Sequence, residues 1–109
     1  MSKLVRDKIP EIIEKSGMKP IWNECFNDEA FYAFLLQKLQ EEVDELKAAK
    51  TYKEQLEEAA DVYEVLAAII SFIDLEENGW NDWQQILQNK REERGAFEKR
   101  IILDRVEDK

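Results

Sequence analysis

Four acidic side chains are spaced so that they can share one chemical task. Glu42 and Glu45 lie three residues apart, as do Glu58 and Asp61, with twelve residues between the two pairs. On an α-helix, positions three apart are neighbours on one flank. With Leu39 set at the centre of an apolar helical face, Leu35, Val43 and Leu46 fall beside it. Glu42 then sits about 60° to one side and Glu45 about 120° on that same side. The second pair repeats this on another helix: with Leu66 at the centre, and Val62, Ile69, Ile70 and Ile73 lining the face, Glu58 lies about 80° and Asp61 about 140° aside. That flank runs on into Val65 and Phe72, which a purely solvated stripe would not do. Carboxylates at the edge of a core repel one another and lose hydration, so they need compensating charge. A divalent cation would supply it. The alternative is two solvated faces with Lys47, Lys50 and Lys53 as surface partners, and geometry alone leaves both readings open.

The rest of the composition narrows the chemistry. The 109 residues contain no histidine, which removes imidazole acid–base work and histidine-ligated metals. The one cysteine, Cys25, forms no internal disulfide and no zinc spacing, and reads as a small buried apolar residue. Carboxylates remain as the abundant ligands, and these favour Mg²⁺, with Mn²⁺ as the alternative. A net charge of −9 argues against broad nucleic-acid binding. The charge is segregated. Eight acids stand against three lysines between Glu41 and Asp61, while basic residues gather near the ends. Among these, Lys90 and Arg94 lie one helical turn apart, as a phosphate clamp needs, or else are surface cations near a helix C-terminus. Arg6 and Lys8 are phosphate contacts or solvated. Lys38 shares the flank of Glu42 and pairs with a carboxylate or with a phosphate. Trp22, Trp80, Trp83 and Phe97 stack on a base or belong to the core.

The elements that must position these residues are helical. Pro10 suits a first helical turn, so a short helix is expected from Pro10 to about Ser16, ended by Gly17. Lys19–Phe26 reads as an extended arm. A second helix, capped by Asn27 or Asp28, carries Phe31, Phe34/Leu35, Leu39, Val43 and Leu46 through to Ala49. Thr51 with Glu54 forms a capping-box pattern opening a third helix that reaches about Asn78 and stops at Gly79. Asn81 with Gln84 suggests a capping box for a fourth, ending at Gly95. The tail from Arg100 to Val106 is β-branched and is expected as a short strand, paired with Lys3–Val5 or with the arm near Ile21. The expectation is one all-α domain over residues 1–109: a helical bundle of about four helices with short terminal strands.

Glu41-Glu42-Val43-Asp44-Glu45, then Glu58-Ala59-Ala60-Asp61, resembles the Glu-Glu-x-x-Glu … Glu-x-x-Asp signature of the MazG-like nucleotide pyrophosphohydrolases. These belong to the all-α NTP pyrophosphatase superfamily, with the phosphoribosyl-ATP pyrophosphohydrolases and dimeric dUTPases. The start, Lys3-Leu4-Val5-Arg6-Asp7-Lys8-Ile9-Pro10, and the segment Lys90-Arg91-Glu92-Glu93-Arg94-Gly95-Ala96-Phe97 are similar to a small single-domain branch labelled phosphoribosyl-ATP pyrophosphohydrolase-like. The resemblance implies that Glu42, Glu45, Glu58 and Asp61 ligate Mg²⁺ and that Glu41 and Glu42 serve catalysis. Glu41, angled away from the core, would orient water, and a carboxylate oxygen left free by the metal would accept the proton. It further implies cleavage of a nucleoside triphosphate between the α- and β-phosphates, giving a monophosphate and pyrophosphate.

Assembly and location complete the expectations. Between Val62 and Leu75 the third helix is apolar around nearly its whole circumference, so a homodimer or a dimer of dimers is expected to cover it. No signal segment is read at the start. The longest apolar stretch, Val65–Ile73, is about half the ~20 residues of a membrane span, so a cytoplasmic protein without membrane contact is expected. The competing reading, of another class, is a non-catalytic helical interaction module that keeps the carboxylate signature.

Overall fold

The computed structural model describes residues 2–74 and 80–109. These described residues are all-α and form four helices: α1 (Ile9–Lys15), α2 (Asp28–Ala48), α3 (Tyr52–Asp74) and α4 (Trp80–Arg94). The chain divides into two compact units, Met1–Ile73 and Asp74–Lys109.

In the first unit, local chemistry sets each helix boundary. Pro10 occupies the first turn of α1, where its missing N–H is not needed. The helix ends because Gly17 adopts a left-handed φ of 93°. This lets the Gly17 N–H reach Glu14 C=O at 3.1 Å and the Met18 N–H reach Ile13 C=O at 3.3 Å, the paired bonds of a Schellman stop. Asn27 caps α2 by accepting from the Ala30 N–H at 2.8 Å. Thr51 caps α3 in the same way, its Oγ1 accepting from the Glu54 N–H at 3.1 Å. The reciprocal half of the expected box is shifted by one residue, since the Glu54 carboxylate accepts from Lys50 N–H at 3.3 Å.

α2 and α3 form an antiparallel hairpin joined by residues 49–51. At one end Phe72 stacks on Tyr32, centroids 5.7 Å apart, and meets Phe31 edge-on at 5.5 Å. At the other end Glu42 and Glu45 of α2 meet Glu58 and Asp61 of α3. Leu35 and Ile69 are the buried apolar side chains of this unit. The expected face of α3 is buried in part, at Ile69 with Val62 and Ile70 half-buried, but its other edge is exposed. Leu66 is 42% exposed and Ile73 59%, whereas Val65 and Phe72 are half-buried. The reason is the aromatic contact, which draws the flank bearing Glu58, Val65 and Phe72 toward α2.

The second unit contains α4, which stops at Gly95 with φ 80°; the Gly95 N–H donates to Arg91 C=O at 2.9 Å. Two expectations are corrected here. The fourth helix, expected to open at Asn81, already includes Trp80. The tail beyond Arg100 forms no strand, and no strand occurs among the described residues. Arg100 takes a left-handed φ of 56° and its N–H turns back to Phe97 C=O at 3.2 Å. A β-branched run becomes a strand only against a neighbouring backbone. The expected end of the third helix near Asn78 and Gly79 lies outside the described residues, as does Leu75. No helix among the described residues is long and apolar enough to cross a membrane.

Candidate metal centre

The hairpin brings together all four carboxylates whose spacing suggests a shared site. Glu42, Glu45, Glu58 and Asp61 each offer one oxygen, and these oxygens lie within 4.8 Å of one another. Two helices are needed for this. Each contributes a pair one turn apart, and the antiparallel packing sets the pairs face to face.

Burial distinguishes this cluster from a solvated acidic patch. Glu42 is only 6% exposed, and its Oε2 is buried with no hydrogen-bond partner. Glu58 Oε2 is in the same condition. A buried carboxylate oxygen without a partner carries a large desolvation penalty. The Glu42 carboxyl is accordingly pushed above the ordinary carboxylate range, first by burial and then by Glu45 beside it, against the opposing pull of Lys38.

Cations are present but too few. Lys38, one turn before Glu42, places its Nζ 3.3 Å from Glu42 and 3.5 Å from Glu41. Arg6 donates from Nη2 to Asp61 Oδ1 at 2.7 Å. Two cations against four clustered acids leave excess negative charge. Oxygen-only ligands and orphaned buried oxygens together fit a divalent metal ion, which these four residues could hold.

The other expected residues divide around this centre. Glu41 lies outside the cluster, held by Lys38 and by Lys3, whose Nζ is 3.7 Å away. Lys38 therefore pairs with carboxylates, as its flank allows. Arg6, expected as a phosphate contact or solvated, is bound to Asp61. Lys8 is exposed at the start of α1. Lys90 and Arg94 are exposed on α4, in the other unit. Trp22 and Phe97 are exposed rather than core, and the Trp80 side chain lies outside the described residues. Cys25 is exposed as well, contrary to expectation, with its Sγ donating to Asn27 C=O at 3.6 Å.

Sequence reasoning had missed the Arg6–Asp61 bond. Helical periodicity cannot report a partner that arrives from an irregular segment 55 residues away. Arg6 and Lys3 also border a cleft of about 1010 Å³ between the N-terminal segment, α1, residues 20–25 and the start of α2.

No protein-family model matches the chain, and no solved structure matches it. An uncharacterized protein of Mycolicibacterium smegmatis is 49% identical over 45 residues, which are 41% of this chain and 45% of that protein. The match spans less than half the length of that relative.

Proposed function

We propose that this chain is a MazG-like, Mg²⁺-dependent nucleotide pyrophosphohydrolase that cleaves a nucleoside triphosphate between the α- and β-phosphates, releasing a monophosphate and pyrophosphate. The observation that carries this reading is the pair of buried, unpartnered oxygens on Glu42 and Glu58 within a four-carboxylate cluster. Glu42, Glu45, Glu58 and Asp61 would hold the ion, with Mn²⁺ as an alternative to Mg²⁺. When bound, the ion neutralises phosphate charge and acidifies the attacking water. Glu41 would orient the attacking water, steadied by Lys38 and Lys3, and the Glu42 carboxylate would accept its proton. Lys8 is a further phosphate-binding cation of this reading, and the cleft beside Arg6 has room for a nucleoside; Lys90 and Arg94 keep the phosphate-clamp role that their spacing on α4 suggests. The working unit is a cytoplasmic homodimer or dimer of dimers, and the role is removal of non-standard nucleotides.

Incubating purified protein with Mg²⁺ and a panel of nucleotides, with pyrophosphate and phosphate monitored separately, tests the reading. Pyrophosphate release from at least one nucleoside triphosphate is expected. Release of orthophosphate alone, or no turnover across the panel, overturns it.

A second reading, a non-catalytic helical interaction module, is favoured by one observation. Tyr63, Leu66 and Ile73 form an exposed apolar stripe on α3. Self-association without turnover in the same panel would select it.

A further inference from the structure

Arg6 lies outside the four helices, on the irregular stretch leading into α1, yet its guanidinium reaches the carboxylate cluster and donates to Asp61 Oδ1 at 2.7 Å. Asp61 is one of the four residues whose oxygens converge within 4.8 Å. A guanidinium and a divalent ion in that space draw on the same negative charge and repel each other. Resting on the metal-site reading above, we propose that Arg6 is the centre's internal counter-cation. It holds Asp61 while no divalent ion is bound, leaves Asp61 when the ion enters, and is thereby presented to a phosphate ligand.

Three features of the molecule support this exchange. First, the ion pair is open to solvent, with side chains 56% and 37% exposed, and pairs of that kind are weakly held. Second, the backbone of the segment is anchored, so the side chain can move alone. Leu4 and Val5 are half-buried, and the Arg6 C=O accepts from the Ile9 N–H at 3.1 Å. Third, Arg6 borders the cleft of about 1010 Å³, which gives the guanidinium somewhere to go and a ligand somewhere to lie. Only Nη2 engages Asp61, and a guanidinium fork is matched to paired phosphate oxygens. Lys38 is the contrasting case: it is shielded from solvent between Glu41 and Glu42 and is a fixed cation.

Calorimetric titration with Mn²⁺ alone, on wild type, Arg6→Gln and Lys15→Gln, tests the first half. Arg6→Gln is expected to bind Mn²⁺ about two- to five-fold more tightly than wild type, the range that losing one exposed competing pair allows. Lys15→Gln removes the same charge from an exposed ion pair with Glu11 on α1, away from the cluster and the cleft, and is expected to stay close to wild type. With Mn²⁺ saturating, inorganic pyrophosphate tests the second half: Arg6→Gln is expected to bind it several-fold more weakly, and Lys15→Gln as wild type does. Unchanged or weaker Mn²⁺ binding by Arg6→Gln overturns the proposal. So does equal tightening in both variants, which is a net-charge effect, or unchanged pyrophosphate binding by Arg6→Gln. A wild-type protein that binds no Mn²⁺ overturns the metal-site reading itself, a distinguishable result. If circular dichroism shows Arg6→Gln unfolded, Arg6→Lys decides. It keeps the charge and loses the fork, so near-wild-type Mn²⁺ binding with weakened pyrophosphate binding is expected, and unchanged pyrophosphate binding overturns the proposal.

Discussion

Lys38 Nζ sits 3.3 Å from one oxygen of Glu42, while the other oxygen of that carboxylate is buried and accepts no hydrogen bond. One half of the group is satisfied by the preceding helical turn, and the group as a whole shares its surroundings with three more carboxylates. The arrangement is unfavourable without a cation, and this makes the stability of the metal-free protein informative.

Glu42→Gln is expected to stabilise the metal-free protein at neutral pH by on the order of 1 kcal/mol, about the penalty of one unsatisfied buried group. The glutamine oxygen still accepts from Lys38. The sign with pH follows from the raised folded-state value of Glu42. Its contribution to stability is fully present below the unfolded carboxylate range and is lost as pH rises through the folded value. Wild type in chelator should therefore lose stability above the ordinary carboxylate range more steeply than Glu42→Gln. Thermal melts across pH check this, and parallel curves for the two proteins would remove Glu42 as the source of strain.

Mg²⁺ or Mn²⁺ is expected to raise the melting temperature. An ion that binds only the folded cluster stabilises by mass action, about 2.7 kcal/mol at a hundred times its dissociation constant. For a small domain this is a shift of roughly ten degrees or more. A melting temperature indifferent to millimolar Mg²⁺ and Mn²⁺, together with a flat calorimetric trace, would count decisively against the centre.

Asp61→Ala is expected to lower turnover at least about a hundred-fold while leaving helical content unchanged. The substitution removes one carboxylate of the proposed centre and frees Arg6, yet Asp61 is only half-buried and lies at the edge of the hairpin. Steady-state pyrophosphate release, with circular dichroism as the control for folding, is the measurement. Wild-type rates would take Asp61 out of the mechanism.

Leu66→Glu and Ile73→Glu are each expected to lower the solution mass to that of a monomer. Leu66 and Ile73 are substantially exposed on α3, with Tyr63 on the same stripe. At ~25 cal/mol per Å² of apolar surface, covering such side chains is worth several kcal/mol, comparable to the stability of a small domain. Light scattering at micromolar concentration reads the outcome. A wild-type monomer that remains fully active would dispose of the dimer.

Much of the positioning scaffold was legible in the sequence because it is local. The caps at Asn27 and Thr51 and the stops at Gly17 and Gly95 depend on residues within a helical turn or two, and they appear where expected. The Asn81–Gln84 pattern marks the start of α4 one residue late, because the same local pattern also fits inside a helix. The tail failed as a strand because β-propensity expresses itself only against a partner backbone.

The spacing of Glu42, Glu45, Glu58 and Asp61 determined that each pair would share one flank of its helix, since an i, i+3 relation is fixed by helical geometry. Tertiary packing alone decided that the two flanks would meet. Phe72, seated against Phe31 and Tyr32, sets the rotation of α3, so that Leu66 turns outward and the carboxylates turn toward α2. It also decided which charges the cluster keeps. Lys38 was one turn away and could be anticipated, but Arg6 reaches Asp61 across 55 positions of chain. An electrostatic contact at that separation is set by where the backbone passes, and no periodicity records it.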